Sequence, residues 1–251
     1  MVSASLPVLE FDDMTFQIGM VTDEGVLLAS DRKVNNLAGF RHGLLIPKIT
    51  VHQKQDFAHC SAGDDFCNTF TRVVREEIDN GTTRFADGEF MEVQESLANC
   101  VYTARERETE FVRSRANPPS KRILPTCVGG TTMLVFRRNG APALWYVDTR
   151  AVTPEPFLVD PVQCKVAGVT DSPALFFLER YFSAMPPALD ALVPLAVHAV
   201  LMAKCDFVEG IQVGLFTREK FAVLTDEELK PHIELSKEID TDIVGKLRRN
   251  T

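Results

Sequence analysis

Two residues near the start of the chain could do chemistry together, because they stand at the two ends of a predicted β-hairpin. An apolar run begins at Thr15, a turn follows at Asp23-Glu24-Gly25, and a second apolar run leads to Asp31. Glycine supplies the positive φ of tight turns, so we expect the two runs to pair and to place Thr15 near Asp31. A threonine hydroxyl is a weak nucleophile that needs an adjacent base. One such base is the α-amino group of the same residue, when threonine is the first in the chain.

The combination of these two residues with a later lysine is more specific than any of the three alone. Taken singly, a strand-opening threonine, a strand-ending aspartate and a lysine such as Lys48 are ordinary features of a soluble domain. Together they resemble the amino-terminal hairpin of the proteasome β-type subunits and their bacterial relatives, which are N-terminal-nucleophile hydrolases. The resemblance extends to residues within and beyond the hairpin, namely Gly19, Gly25, Ala29, the Asp31-Arg32 pair and Lys48-Ile49.

The resemblance implies that Thr15, Asp31 and Lys48 form a catalytic set. An α-amino group has a reference pKa of roughly 7.7 to 8, so a useful fraction of it is uncharged near neutral pH. The ammonium of Lys48, placed close by, would lower that pKa further by like-charge repulsion. Asp31 would pair with Lys48 and hold it in position.

Three further residues fall where the family has parts of its catalytic machinery. Gly63 would donate a backbone N–H to the oxyanion hole; alternatively, it only turns the chain while Asp64 caps the next helix. Thr170 would supply a hydroxyl that orders the amine of the nucleophile, or else it caps a helix. Asp206 would contact the hydroxyl region of the nucleophile, or else it is a charge near a helix carboxyl end. Glu209 replaces the serine that the family has nearby.

The resemblance also implies a substrate cleft and partners. By position, Val34 and Asn35 would line the cleft, and Ser61 is a further candidate for substrate binding. Asp65 would make the first specificity pocket acidic. The implied substrate is a peptide or an unfolded protein, with neither cofactor nor metal. The implied assembly is a homo-oligomeric ring that encloses the site, and an ATP-dependent unfoldase is a candidate partner.

Residues 1–14 precede the candidate nucleophile, and we interpret them as a leader, a propeptide or an upstream-start extension. If Thr15 is to use its own amine, this segment must be absent from the active protein. Autocleavage is one route, although the family places glycine before the threonine and this chain has Met14 there. Translation from Met14 followed by methionine removal is the second route and the one that we favour.

The composition indicates a soluble protein with one large domain. The chain has 251 residues, 45% hydrophobic and 25% charged, with a formal net charge of -8. This acidity argues against nucleic-acid binding, which needs clustered Lys and Arg. No apolar run approaches the roughly 20 residues that span a bilayer, and no signal sequence precedes the domain, so we expect a cytoplasmic protein. Reduced, buried thiols are expected for the cysteines, which lack a CxxC pair: Cys60, Cys67, Cys100, Cys127, Cys164 and Cys205.

Strand and helix patterns alternate in blocks along the chain. Apolar residues at helical spacing predict helices over residues 64–80, 87–115, 175–182 and 189–205. Strands are predicted around these helix pairs, and one of them, over residues 44–52, carries Lys48. Such blocks indicate two packed sheets with outer helices. The resemblance implies an α+β four-layer αββα sandwich of two antiparallel sheets, with a domain over residues 15–225 and a helical tail over 226–251.

A threonine-type endopeptidase is the function that these observations predict. The Thr15 hydroxyl would attack a peptide carbonyl and its α-amine would take the proton, before water hydrolyses the acyl-enzyme. Two alternatives stay open. One is a catalytically inactive shell or scaffold subunit of the same fold. The other is an amidohydrolase that acts on a small amide, because the same nucleophile serves several substrates.

Overall fold

The computed structural model describes residues 15–34, 44–81, 85–115, 129–168, 173–182, 188–203 and 208–249. Its strands in chain order are β1 (Phe16–Val21), β2 (Gly25–Ser30), β3 (Lys33–Val34), β4 (Leu44–Leu45), β5 (Thr50–His52), β6 (Phe57–Gly63), β7 (Gly130–Arg138), β8 (Ala141–Asp148), β9 (Phe157–Leu158), β10 (Cys164–Gly168), β11 (Gln212–Thr217) and β12 (Phe221–Val223). Its helices are α1 (Phe66–Asn80), α2 (Phe90–Arg115), α3 (Pro173–Phe182), α4 (Leu192–Met202) and α5 (Asp226–Arg249). Within these ranges, none of the helices has the length and apolar character that a bilayer-crossing segment requires.

The first sheet contains the predicted amino-terminal hairpin. Its strands are antiparallel and follow the order β10-β1-β2-β11-β12. β1 and β2 pair from Gln17↔Ser30 to the turn, where the Thr22 hydroxyl accepts two backbone hydrogen bonds at 3.1 and 3.2 Å. This register places Thr15, which precedes β1, beside Asp31, which follows β2.

The second sheet follows the order β5-β6-β7-β8-β9 and is also antiparallel. β6 pairs with β7 from Phe57↔Phe136 to Gly63↔Gly130. Successive side chains of a strand point to opposite faces of its sheet. Accordingly, Cys60 and Ala62 belong to the core between the two sheets, while Phe57 packs under α1 and α2.

Three layers of buried side chains hold the sheets and helices together. The layer between the first sheet and α3, α4 and α5 includes Phe16, Ile18, Leu178, Leu192 and Leu229. The layer between the two sheets includes Leu28, Cys60, Met133 and Phe216. The layer between the second sheet and α1 and α2 includes Phe70, Leu97 and Trp145. The protein is therefore the α+β four-layer sandwich that was predicted, with two antiparallel sheets between helices, and this prediction is confirmed.

The segment that carries Lys48 differs from its prediction. The single strand expected over residues 44–52 is wrong, because β4 ends at Leu45 and β5 begins only at Thr50. Pro47 lies between them and has no N–H for a strand ladder. Lys48 therefore lies on a loop that joins a small two-stranded sheet, β3-β4, to the second sheet.

The first turn of α5 is a capping box that ties the helix to the end of β12. The Thr225 hydroxyl accepts a hydrogen bond from the Glu228 N–H at 3.2 Å, and the Glu228 carboxylate accepts one from the Thr225 N–H at 2.7 Å. Further along, Ser236 Oγ lies 2.7 Å from His198 Nδ1 on α4. The amino-terminal half of α5 thus packs against the domain.

The cysteines in the described part of the chain are thiols. Cys60, Cys67, Cys100 and Cys164 form no disulfide there. Burial raises the pKa of Cys60, Cys100 and Cys164 to about 12, so these groups stay protonated at neutral pH. Cys127 and Cys205 lie outside the described residues.

Candidate active site

The side chains of Thr15, Asp31 and Lys48 meet at the end of the first sheet where β1 begins and β2 ends. Lys48 Nζ donates hydrogen bonds to Thr15 Oγ1 at 2.8 Å and to the two carboxylate oxygens of Asp31 at 3.0 and 2.9 Å. Only 8% of the Lys48 side chain is exposed, and Asp31 is completely buried. One ammonium group therefore links the hydroxyl to the carboxylate, largely out of bulk water.

The Asp31 carboxylate is also held by the backbone around it. Oδ1 accepts a hydrogen bond from the Phe16 N–H at 2.9 Å, and Oδ2 accepts one from the Lys33 N–H at 3.0 Å. Hydrogen bonds to a charged carboxylate are stronger than those between neutral groups. Asp31 therefore fixes the backbone on both sides of the hairpin as well as the lysine.

Burial acts in opposite directions on the two charges of the Lys48–Asp31 pair. It raises the pKa of the Asp31 carboxyl and lowers the pKa of the Lys48 ammonium, because each charge leaves water. Their mutual attraction opposes both shifts. Lys48 therefore releases a proton more readily than an exposed lysine, and while charged it disfavours a second cation beside Thr15.

Cys60 lies close enough to feel the charge of Lys48, but its thiol is a poor competitor for the role of nucleophile. Burial raises the pKa of this thiol to about 12 despite the lysine. The thiolate is the reactive form of cysteine, and little of it exists at neutral pH with such a pKa. The Thr15 hydroxyl therefore stays the predicted nucleophile.

Gln212, which no sequence motif indicated, holds the backbone at Lys48. Its Oε1 accepts hydrogen bonds from the N–H groups of Lys48 and Ile49, both at 2.8 Å. Its Nε2 donates to the Ile49 carbonyl at 3.1 Å. Gln212 and Lys48 are separated by 164 positions, so the fold rather than a local signal brings them together.

Gly168 lets β10 run directly against the backbone of Thr15. It pairs with Phe16 and has a φ of +86°, and a Cβ at this position would lie 1.6 Å from the Thr15 carbonyl oxygen. The same position is 3.5 Å from the Ala62 methyl group. The carboxyl end of β6, where Gly63 follows Ala62, therefore lies beside the start of β1.

Gly63 ends β6 with a φ of +148°, and a Cβ there would come within 2.6 Å of Gly130 Cα. The next residue, Asp64, accepts hydrogen bonds from the N–H groups of Phe66 at 3.0 Å and Gly129 at 3.2 Å. Asp64 thus caps α1, as expected in the alternative in which Gly63 only turns the chain. This arrangement is also compatible with Gly63 as an oxyanion donor, which stays a prediction.

The structure resembles solved structures of Anbu proteins. One is an Anbu (Gly-1) mutant from Hyphomicrobium sp. strain MC1, with a TM-score of 0.66, 16% identity, and coverage of 92% of this chain and 97% of that one. Another is Anbu, described as an ancestral beta-subunit, from Yersinia bercovieri, with a TM-score of 0.67, 15% identity, and coverage of 93% and 96%. A third is the helical assembly of the Anbu complex from Pseudomonas aeruginosa, with a TM-score of 0.61, 15% identity, and coverage of 93% and 96%. No protein-family model and no curated protein sequence matches the chain.

The chain has the proteasome-like N-terminal-nucleophile hydrolase fold. The likeness extends over nearly the whole of both chains, whereas the low sequence identity carries no information about the reaction. The assignment to this fold is therefore firm, and activity has to be argued from the residues of this chain.

The remaining predicted site residues either lie outside the described residues or make no described hydrogen bond to Thr15 or Lys48. Thr170, Asp206 and Asn35 lie outside the described residues, and Val34 is in β3. Ser61 Oγ lies 3.0 Å from Thr132 Oγ1, on the face of β6 opposite Cys60 and Ala62. Asp65 is exposed at the start of α1, where its side chain makes no capping hydrogen bond. Within the described residues, neither Ser61 nor Asp65 hydrogen-bonds to Thr15 or Lys48.

Charged residues surround the loop after Asp31. Lys33 Nζ lies 3.3 Å from Glu209, and Arg32 lies 3.3 Å from Asp226 on α5. The Arg32 N–H also donates to the Glu209 carbonyl at 2.9 Å. These contacts join the residues after Asp31 to the segment before β11 and to the start of α5.

Proposed function

We propose that the protein is a threonine-type peptidase whose nucleophile is Thr15 after removal of the residues that precede it. The observation that carries this proposal is the hydrogen bond of 2.8 Å between Lys48 Nζ and Thr15 Oγ1, with Asp31 as the buried partner of the lysine. A hydroxyl, a cation and a carboxylate joined in this way suit attack on a carbonyl carbon.

In the proposed reaction, Thr15 Oγ1 forms a bond to the substrate carbonyl carbon, and its proton passes to the free α-amine of the same residue. The charge of Lys48 keeps that amine neutral at lower pH, because a second cation beside it is unfavourable. The backbone N–H of Gly63 steadies the oxyanion. The amine then protonates the leaving group, and water hydrolyses the ester. Thr170 and Asp206 are proposed to order the amine and the hydroxyl.

The proposal extends to the substrate cleft and to assembly. Val34 and Asn35 follow Asp31 within four residues of the chain and remain proposed cleft residues, as does Asp65 at the start of α1. The Anbu complex from Pseudomonas aeruginosa is described as a helical assembly, which supports a homo-oligomer for this chain too. Exposed apolar side chains on the outer helices, such as Met91, Phe176 and Ile243, are further support. The mass of the native particle in solution tests this part.

Two observations favour a non-catalytic shell subunit as the second candidate. Met14 stands before Thr15, where autocleaving relatives have glycine, and Glu209 stands in place of a serine and pairs with Lys33. In that case Thr15 would keep a peptide bond on its amino side and could not use its own amine as base.

The test compares the full chain with a chain that begins at Met14, each as wild type, Thr15→Ser and Thr15→Ala. Intact mass reports whether Thr15 has a free amine, and fluorogenic peptides report turnover. We expect turnover only where Thr15 is amino-terminal, with Ser partly active and Ala reduced about a thousandfold or more. Equal turnover by Thr15→Ala would refute the proposal. Turnover of small acyl amides but not of peptides would select an amidohydrolase, and a free amine without any turnover would select the shell subunit.

A further inference from the structure

Gln212 lies on β11, opposite Ser30 of β2, and its side-chain amide reaches the loop that carries Lys48. Its oxygen, Oε1, accepts hydrogen bonds from the N–H groups of Lys48 and Ile49, while Nε2 donates to the Ile49 carbonyl. Only 8% of Gln212 is exposed. The amide thus takes the place of a strand partner for Lys48 and Ile49.

Among the described residues, the loop has few other backbone attachments near Lys48. The Ile46 N–H donates to the Arg32 carbonyl at 2.8 Å, and Pro47 has no N–H to donate. The ladder with β6 resumes at Thr50, which pairs with His59. Between Ile46 and Thr50, the N–H groups of Lys48 and Ile49 both donate to Gln212 Oε1. If residue 212 had no acceptor, the N–H groups of Lys48 and Ile49 would lose this hydrogen-bond partner. Buried N–H groups are rarely left without a partner in proteins.

We infer that Gln212 is a positioning residue, which sets Lys48 Nζ between Thr15 Oγ1 and Asp31 by fixing the backbone of Lys48 and Ile49. Its amide acts through the lysine, since its described hydrogen bonds all go to the loop backbone. The expected effect of Gln212 on catalysis rests on the proposed function. Its expected effect on the position and titration of Lys48 is independent of that function.

The inference predicts a pH effect with a definite sign. A charged Lys48 close to Thr15 lowers the pKa of the free α-amine that the proposed function uses as base. A Lys48 ammonium that lies farther from Thr15 repels the protonated amine less, so the pKa of that amine rises. The acid limb of the pH profile of kcat/KM then moves to higher pH. A residue that only supports folding would reduce the amount of active protein and leave the limb in place.

The experiment uses Gln212→Met, which keeps most of the side-chain volume but removes the amide. Gln53→Met is the matched control, because Gln53 Nε2 donates to the Phe221 carbonyl at 2.7 Å and ties the turn after β5 to β12. We expect Gln212→Met to lower kcat about 10- to 100-fold with little change in KM, and to move the acid limb upward. Gln53→Met should do neither. Equal effects of the two variants would overturn the inference.

NMR of the protein with ¹³C at lysine Cε gives a readout that needs no turnover. The Lys48 signal is identified by its loss in Lys48→Arg, and its titration is followed in wild type and in Gln212→Met. We expect the lysine pKa, which burial lowers in the wild type, to move back toward its ordinary value in the variant. An unchanged Lys48 titration in folded Gln212→Met would overturn the inference. A changed titration in a protein that never hydrolyses peptides would sink only the proposed function.

Discussion

Phe16 and Asp31 exchange two hydrogen bonds across the open end of the first hairpin. The Phe16 N–H donates to Asp31 Oδ1 at 2.9 Å, and the Asp31 N–H donates to the Phe16 carbonyl at 3.1 Å. Phe16, the residue after Thr15, is therefore bound to both the backbone and the side chain of Asp31, the partner of Lys48. Asp31 has a structural role at the start of β1 in addition to its charge.

Loss of Asp31 alone should destabilise the protein more than joint loss of Asp31 and Lys48. Asp31→Ala leaves a largely buried ammonium without its counter-ion, and breaking a buried pair costs about 3–5 kcal/mol. Asp31→Ala with Lys48→Met removes both charges and should recover part of the free energy of unfolding. Recovery stays incomplete because the Phe16 N–H has lost its acceptor. Urea unfolding at pH 7 measures both values, and a single variant within about 1 kcal/mol of wild type would contradict the buried pair.

Gly168→Ala should destabilise the protein by more than positive φ alone explains. A Cβ at Gly168 would lie 1.6 Å from the Thr15 carbonyl oxygen, whereas one at Gly140 would have no atom of the described residues within 4 Å. Both residues have positive φ, +86° and +76°. We expect about 1–2 kcal/mol for Gly140→Ala and several kcal/mol for Gly168→Ala, from denaturant unfolding. Similar values for the two variants would show that β10 does not press against Thr15 in solution.

The hairpin shows what local sequence could predict. Two apolar runs around a short glycine turn allow few registers, so the approach of Asp31 to Thr15 followed from their spacing alone. The cap of α5 was equally local, because Thr225 and Glu228 have the spacing of a capping box. Both features depend on residues that are close in the chain.

The environment of Lys48 shows what local sequence could not predict. The lysine itself was singled out by resemblance, but the strand assigned to it was wrong because apolar residues on both sides of Pro47 imitate a continuous strand. The backbone there is satisfied by Gln212, whose position in space depends on the order of strands in the first sheet. Contacts of this kind follow from packing and leave no periodic signal.

Thr225→Ala should cost more stability than Asp226→Ala, although both residues are at the start of α5. The Thr225 hydroxyl accepts the Glu228 N–H and stabilises the first turn, which is worth about 1 kcal/mol. The Asp226 carboxylate pairs with Arg32 at 3.3 Å, but 80% of its side chain is exposed. Such exposed pairs contribute about 0–1 kcal/mol. Thermal unfolding of the two variants compares them, and a larger effect of Asp226→Ala would mean that the ion pair, rather than the cap, holds the helix.

His59 should make the protein less stable as the pH falls below neutrality. Burial, together with the charges of His52 and Arg75, lowers the pKa of His59 to about 3, against an ordinary value of 6.5. Between these values the unfolded chain binds a proton that the folded protein does not, so the free energy of unfolding decreases by up to about 1.4 kcal/mol per pH unit. The His59 and Phe57 rings are stacked with their centroids 5.5 Å apart. His59→Phe keeps an aromatic ring at this position and removes the titrating group. Urea unfolding from pH 7 to pH 4 should therefore show a shallower decline for His59→Phe than for wild type. Parallel declines would mean that His59 is protonated freely in the folded protein.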